Sequence, residues 1–334
     1  MSRPRFLVTA SPHLRGPATT PTIMWNVVGS LVPIILAATF YFGIGALLVI
    51  GSATAGAMLT EALFGRKGSL GDGSAAITGL LLGLILPPGF PLWMAFIGGV
   101  VSIAFGKLIF GGLGQNIFNP ALLGRAFLQA AFPVAITTWV EPRGGWLTLP
   151  AQMTSVPFMG AGDVDVVTSA TPLGLWKFER IGTELWNLMV GHIGGSLGET
   201  SGLLIIVCGG YLALRNFLNW RIPISIFISV AVLSGLLHLI DASRYPSPLF
   251  MLFSGGLMLG AWFMATDMVT SPVTNKGCWV FGAGVGALVV IIRAWGGMPE
   301  GVMYAILLMN ALVPYINEWT QPKVFGTRLT EAPS

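Results

Sequence analysis

Charge is what this sequence has least of. Of its 334 residues, 9% are Asp, Glu, Lys or Arg, while 54% are hydrophobic. A soluble globular chain carries about a quarter charged residues, so an ordinary cytosolic enzyme is excluded. A disordered chain is excluded as well, because disorder goes with few apolar residues. Cysteine is almost absent: Cys208 and Cys278 cannot make a disulfide framework and are too few to hold an iron–sulfur cluster alone. Histidine is scarce, and His192 and His238 stand far from each other and from a cysteine, which predicts packed or interfacial residues and no metal site. No dinucleotide fingerprint joins a strand to a helix. Glycine is abundant, at 45 residues, but without the strict three-residue period of collagen.

What the sequence does have is apolar length. Ten segments stand out, at about 23–42, 45–63, 74–88, 92–110, 118–136, 201–214, 222–240, 249–266, 277–293 and 300–317. They are helix-length, unlike the short alternating strands of an outer-membrane barrel. The fold class is therefore an all-α polytopic membrane protein with about ten transmembrane helices. Several segments fall short of the ~20 residues that cross a bilayer, and Gly or Pro interrupts them, as in the broken helices of transporters. Met1 to Pro21 is polar and basic and has no apolar core, so a cleaved signal is not expected.

Lys and Arg set the orientation. With the amino terminus in the cytoplasm, the inner face holds Arg3, Arg5, Arg15, Arg66, Lys67, Lys107, Arg215, Arg221, Lys276, Lys323 and Arg328. The outer face holds Arg143, Lys177, Arg180, Arg244 and Arg293, and Arg125 lies within a span. Cytoplasmic loops are the basic ones, so both termini are placed inside. The net charge of +4 reports this topology, and no nucleic-acid partner is implied. Trp25, Trp93, Trp139, Trp146, Trp220 and Trp319 fall near span ends, where interfacial anchors sit.

Five parts follow: a basic cytoplasmic tail (1–22), a first membrane half of five helices (23–136), an extracytoplasmic loop (137–200), a second half of five (201–317) and a cytoplasmic tail (318–334). Five helices per half would invert the second half relative to the first. Gly79-Leu80-Leu81-Leu82-Gly83 is echoed by Gly256-Leu257-Met258-Leu259-Gly260, and Lys107 before Gly111-Gly112 by Arg293 before Gly296-Gly297.

The 137–200 stretch is the one long polar interruption, and long loops are more often functional than idle. It contains Asp165-Val166-Val167-Thr168-Ser169-Ala170-Thr171-Pro172. A threonine hydroxyl can form a phosphoester, and small neighbours leave room for a bulky group; Pro172 is expected to end the local turn. The plain alternative is a polar turn.

Elsewhere, Asn116 and Asn119 stand beside Gly111, Gly112, Gly114 and Pro120 at the start of a span. An asparagine there can cap the helix or offer a donor and an acceptor to a ligand edge. Arg125, inside a span, is either a functional anchor or a side chain that snorkels to the interface. Asp267, Glu61 and Glu199 sit near helix breaks, where carboxylates bind Na⁺ or relay protons. The alternatives are that Asp267 caps a helix or pairs with Lys276, that Glu61 pairs with Arg66, and that Glu199 sits favourably at a helix start.

The loop motif resembles the Asp-x-x-(Ser/Thr)-Gly-Ala-Thr flavinylation motif of membrane redox subunits, with Ser169 in place of the usual glycine. The remaining blocks are similar to the RnfD/NqrB family nearly end to end. They are Ser11-Pro12-His13, Leu84-Ile85-Leu86-Pro87-Pro88 with Pro91-Leu92-Trp93, and Phe110-Gly111-Gly112-Leu113-Gly114-Gln115-Asn116-Ile117-Phe118-Asn119-Pro120-Ala121-Leu122 through Arg125. Ala265-Thr266-Asp267, Thr270-Ser271-Pro272 and Trp295-Gly296-Gly297 through Met309-Asn310-Ala311-Leu312 complete the match. The compact length is nearer the RnfD branch.

The resemblance implies FMN held covalently on Thr171, with Asp165, Thr168, Ser169 and Ala170 as the motif read by a flavin transferase. It implies a non-covalent riboflavin for which Asn116, Asn119 and Arg125 are candidate contacts. It also implies a place in the inner membrane of a bacterium, the Thr171 loop on the outer face, within an Rnf-type ferredoxin:NAD oxidoreductase that translocates Na⁺ or H⁺. The partners would be membrane iron–sulfur subunits, an extracytoplasmic flavin subunit and cytoplasmic ferredoxin- and NAD-reactive subunits. Asn119-Pro120-Ala121 also resembles the turns of water channels, so a channel or secondary transporter without redox chemistry is the competing reading. A scaffold for sister subunits is a third.

Overall fold

The computed structural model describes residues 18–66, 68–140, 142, 146–147, 149–155, 170–191, 193–199 and 201–322. Asp165, Thr168, Ser169, His192 and most of the two tails lie outside the described residues.

The described chain is helical, with no strand. In order, it forms α1 (Thr20–Phe42), α2 (Ile44–Phe64), α3 (Ser74–Leu84), α4 (Leu92–Ile103), α5 (Pro120–Ala131), α6 (Pro133–Thr137), α7 (Pro172–Gly174) and α8 (Leu185–Val190). Then come α9 (Gly202–Leu214), α10 (Arg221–Ile240), α11 (Pro248–Phe253), α12 (Leu257–Leu259), α13 (Asn275–Trp295) and α14 (Val302–Trp319). Each of the ten expected apolar segments contains helix. Four helices, α1, α2, α10 and α13, are long and apolar enough to cross a membrane. The others are shorter or broken. α3, at 11 residues, reaches only about 16 Å at 1.5 Å per residue. α5 stops where Pro133 prevents its continuation. The eighth apolar segment is split into α11, α12 and a π-helical turn over Gly260–Met264. A second π turn, Ala104–Leu108, extends α4.

Small residues decide how the long helices meet. A β-carbon on Gly56 would strike the Phe96 carbonyl, and one on Gly99 the Ala53 carbonyl, so α2 and α4 pack backbone to backbone. In the other half, a β-carbon on Gly282 would lie 2.7 Å from the Ile222 carbonyl oxygen and one on Gly286 2.8 Å from that of Ile226, which locks α13 onto α10. This is small-residue packing of the membrane type. The second and fourth apolar segments of each half are thus joined in the same way. Gly99→Val is expected to force α2 and α4 apart at a cost of about 1–3 kcal/mol, the range for overpacked cores. A lowered midpoint of thermal unfolding in detergent would show it, and an unchanged midpoint would contradict the close approach.

Three expectations about charged residues are corrected. Lys107, expected at the inner interface, is 3% exposed; Arg293, expected at the outer one, is 6% exposed. Lys107 lies on the π turn that ends α4, which turns its side chain inward to Glu61 (Nζ–Oε1 2.5 Å) and to Ser74 Oγ at 2.6 Å. Glu61 therefore pairs with Lys107 and not with Arg66. Among the tryptophans, Trp25, Trp146, Trp220 and Trp319 are exposed as anchors should be. Trp93 instead packs edge-on against Phe132, with a ring separation of 5.4 Å, and its ring N–H is buried.

The long 137–200 segment is bound down where it is described. Tyr41 Oη donates to the Val190 carbonyl, Leu197 N–H to the Leu86 carbonyl and Ile44 N–H to the Trp146 carbonyl. Leu173, Leu188 and Ile193 share a small apolar cluster with Phe250 of α11.

Candidate functional site

Two helix breaks create the site. α3 ends at Leu84 and α11 at Phe253, and a helix C-terminus leaves carbonyls without intrahelical partners. Arginines from distant helices meet both. Arg125 of α5 donates through Nη1 to the Ile85 carbonyl at 2.7 Å. Arg293, in the last turn of α13, donates through Nη1 to the Met251 carbonyl at 2.6 Å and through Nη2 to the Ser254 carbonyl at 2.9 Å. A cation at a helix C-terminus also meets the negative end of the helix dipole. Arg125 is thus neither snorkelling nor free.

Glu300, in the turn between α13 and α14, completes the arrangement. Its Oε2 accepts from Arg125 Nη2 at 2.9 Å, and its Oε1 accepts from the Gly256 N–H at 2.6 Å. Beside it is Glu199, in the short turn before α9. Glu199 is buried, accepts from Ser196 Oγ at 2.6 Å, and approaches Gly256 as Glu300 does: a β-carbon there would lie 3.7 Å from Glu199 Oε1 and 2.8 Å from Glu300 Oε1. Sequence reasoning singles out Arg125 and Glu199 but misses Glu300 and the inward turn of Arg293. The available signal was a carboxylate in a Gly-Gly-Met-Pro turn between two apolar segments.

Thr171 faces the same space. Arg125, Glu199, Glu300, Ala170 and Thr171 line one cavity of about 670 Å³, whose remaining wall includes Leu122, Ile136, Met264 and Met303. That volume lies within the ~300–1,000 Å³ of ligand pockets. Thr171 is 9% exposed. Its Oγ accepts from the Gly174 N–H at 3.1 Å, which makes it the N-cap of α7 with Pro172 in the first helical turn. Pro172 therefore opens a helical turn where it was expected to end one; its fixed φ and missing N–H suit that position. The helix continues as a π turn over Leu175–Glu179. From it Lys177 donates to the carbonyls of Arg293, Gly296 and Met298, tying the Thr171 segment to the end of α13. Partial burial pushes the Lys177 ammonium pKa down from its ordinary value.

A flavin phosphoester fits this cavity on two observations: its volume, and the buried Arg125 Nε in its wall, which has no hydrogen-bond partner. A buried N–H of that kind marks unmet demand for an acceptor.

The asparagines lie elsewhere. Asn119 caps α5, its Oδ1 accepting from Ala121 and Leu122 N–H, while its Nδ2 donates to the Met264 carbonyl at 3.2 Å. Asn116 donates to the Phe118 carbonyl and borders the same small cavity as Asp267. Asp267 accepts from the Val269 N–H and makes no ion pair with Lys276. The cavity that Asn116, Asn119, Lys107 and Asp267 border measures about 100 Å³, below the size of an ordinary cofactor pocket. As arranged, it does not fit a riboflavin. Arg125 is not part of it, because six residues along α5 carry a side chain about 9 Å from Asn119. Asn116 and Asn119 thus border one cavity and Arg125 another, and α5 has one candidate site at its start and another farther along.

Asn310 of α14 links the halves. With its amide oriented to satisfy its neighbours, it accepts from the Asn119 N–H at 3.2 Å and donates to the carbonyls of Thr270 and Ile306. Both asparagine amides are used to hold backbone.

The family model described as "NQR2, RnfD, RnfE family" matches residues 7–326. The D component of the proton-translocating ferredoxin:NAD(+) oxidoreductase complex of Clostridium ljungdahlii is 42% identical, over 97% of each chain. The D component of the ion-translocating oxidoreductase complex of Halorhodospira halophila is 37% identical over 98% of this chain and 97% of its own. The corresponding component from Stutzerimonas stutzeri is 40% identical over 91% of each. With the match running nearly end to end, through both helix breaks and the Thr171 segment, the chain belongs to the NQR2, RnfD, RnfE family.

Proposed function

We propose that the chain is a membrane electron-transfer subunit of an ion-translocating ferredoxin:NAD⁺ oxidoreductase complex, and that it carries FMN as a phosphoester on Thr171. The complex is the one named for its relatives. The observation that carries the flavin assignment is that Thr171, within the motif, borders a 670 Å³ cavity walled by Arg125, Glu199 and Glu300. When bound, FMN supplies one- or two-electron chemistry. The chain's own residues supply the rest. Thr171 provides the ester oxygen, and α7 with its π turn fixes the direction in which that oxygen points. Arg125 offers a donor within a water-poor wall, while Ile136, Leu122 and Met303 exclude water. Asp165, Thr168, Ser169 and Ala170 would be read by the flavin transferase during maturation.

In this reading the protein lies in the inner membrane with both termini cytoplasmic and Thr171 on the outer side. Iron–sulfur, extracytoplasmic flavin, ferredoxin and NAD chemistry would belong to sister subunits, in keeping with a sequence that has two cysteines and no dinucleotide fingerprint. A riboflavin beside Asn116 and Asn119 would require Leu113, Phe217 and their neighbours to move apart and widen that space severalfold.

The deciding experiment is the mass of the intact chain, purified from cells that supply the transferase. A mass increase matching one esterified FMN, localised by fragmentation to Thr171, is expected. An unmodified chain in active complex would overturn the assignment and favour a transporter without redox chemistry.

A further inference from the structure

Two carboxyl groups, Glu199 and Glu300, line the same cavity as Thr171. A β-carbon on Gly256 would lie 2.8 Å from Glu300 Oε1 and 3.7 Å from Glu199 Oε1, so the two carboxyl groups converge on one point, and two carboxylates so placed cannot both be ionised at low cost, which favours one proton shared by the pair. Two guanidiniums face this pair, Arg125 from the cavity wall and Arg293 from behind Gly255. Arg125 bonds Glu300, and the Arg293 guanidinium borders the same point, since a β-carbon on Gly255 would lie 3.1 Å from Arg293 Nη2 and 3.2 Å from Glu300 Oε1. Ser196 Oγ and the Gly256 N–H are the neutral donors. Glu179, exposed, stands at the cavity mouth, and Lys177 is held at the end of α13. Two guanidiniums thus flank two carboxyls. If the shared proton leaves, two negative charges remain opposite two positive ones, so the deprotonated pair is locally neutralised.

Resting on the reading of Thr171 as the flavin-bearing residue, we infer that Glu199 and Glu300 are the proton-exchanging pair of this cavity, delivering their shared proton to the isoalloxazine as it is reduced. One electron comes from a one-electron carrier of the complex, of the iron–sulfur or flavin class, and one proton leaves the O–H bond of the pair for a ring nitrogen. The pair is left as two carboxylates and recovers its proton from water at the mouth of the cavity, beside exposed Thr137 and Glu179. On reoxidation the ring proton returns by the same route. Glycine at 195, 255 and 256 is required for this geometry: a β-carbon at these positions would lie 2.6 Å from Glu199 Oε2, 3.2 Å from Glu300 Oε1 and 2.8 Å from Glu300 Oε1, respectively.

The test uses the assembled complex in its membrane. Redox-difference infrared spectra are recorded across the potential range of the covalent flavin, in H₂O and D₂O. In parallel, ultraviolet fluorescence of the denatured chain reports whether the flavin is attached. The wild type is expected to show a carboxylic-acid carbonyl band that bleaches on reduction and shifts in D₂O. Glu199→Gln keeps the shape and can keep the Ser196 hydrogen bond; it should retain the fluorescent flavin, lose the band and slow flavin reduction about 100-fold, the low end for general-acid transfer. Glu300→Gln should do the same. If it fails to assemble for want of the Arg125 ion pair, Glu199→Gln alone decides. Thr171→Ala should silence the band. A band that persists in Glu199→Gln with flavin attached, a band that persists in Thr171→Ala, or a fluorescent wild type without any such band overturns the inference. A wild type without fluorescence overturns the reading of Thr171 itself, and the inference with it.

Discussion

Thr171→Ala is expected to abolish the flavin fluorescence of the denatured chain while leaving the chain folded and in the membrane. The substitution removes the only side-chain oxygen at that position. It also removes the N-cap bond from Gly174, which costs about 1 kcal/mol. That loss falls on a short helix tied down independently by Lys177 and by the apolar cluster of Leu173, Leu188 and Phe250. Global unfolding is therefore not the cause of a missing flavin. Thr171→Ser keeps both the hydroxyl and the cap, and should restore fluorescence. A band of undiminished intensity in the alanine variant would place the ester on another residue and sink the assignment.

The largest effect on stability is expected from Lys107→Met. Lys107 and Glu61 are both nearly inaccessible, with side-chain exposures of 4% and 1%, and Glu61 Oε2 already lacks a partner. Removing the ammonium strands a buried carboxylate, which costs about 3–5 kcal/mol, a large part of the ~5–15 kcal/mol that holds a domain together. The double variant Lys107→Met with Glu61→Gln removes both charges and should regain most of the loss. Denaturant or thermal midpoints in detergent separate the cases. A loss below about 1 kcal/mol in the single variant is what a solvated surface pair would give, and would mean that water reaches Glu61.

Much of the architecture was readable from hydropathy alone. Every apolar segment became helix, because chain length and apolar content determine which stretches leave water. The breaks in α3, α5 and the 248–264 segment were readable as Gly and Pro interruptions. What hydropathy does not encode is the direction in which a side chain turns. Lys107 and Arg293 sit at segment ends, where counting cations assumes a solvated charge. A π turn carries the first inward, and two unpaired carbonyls at the end of α11 draw in the second. The candidate site was legible only in fragments. Thr171 and Arg125 carried their own signals, one as a motif and the other as a charge inside a span. Glu300 did not, because its partner Arg125 lies 175 residues away, and no local pattern links an arginine to a turn at that separation. Pro172 was misread for a related reason: the same ring that stops a helix from continuing is well placed to begin one.

Asn119 has a consequence beyond capping. Its amide joins the first turn of α5 to the Met264 carbonyl on the second half's π turn, and its own N–H meets Asn310. The partition between the 670 Å³ and 100 Å³ spaces is therefore a seam sewn from α5, the Gly260–Met264 π turn and α14. Sliding α5 against that π turn and α14 would stretch these stitches, and with them the insulation between the two chambers.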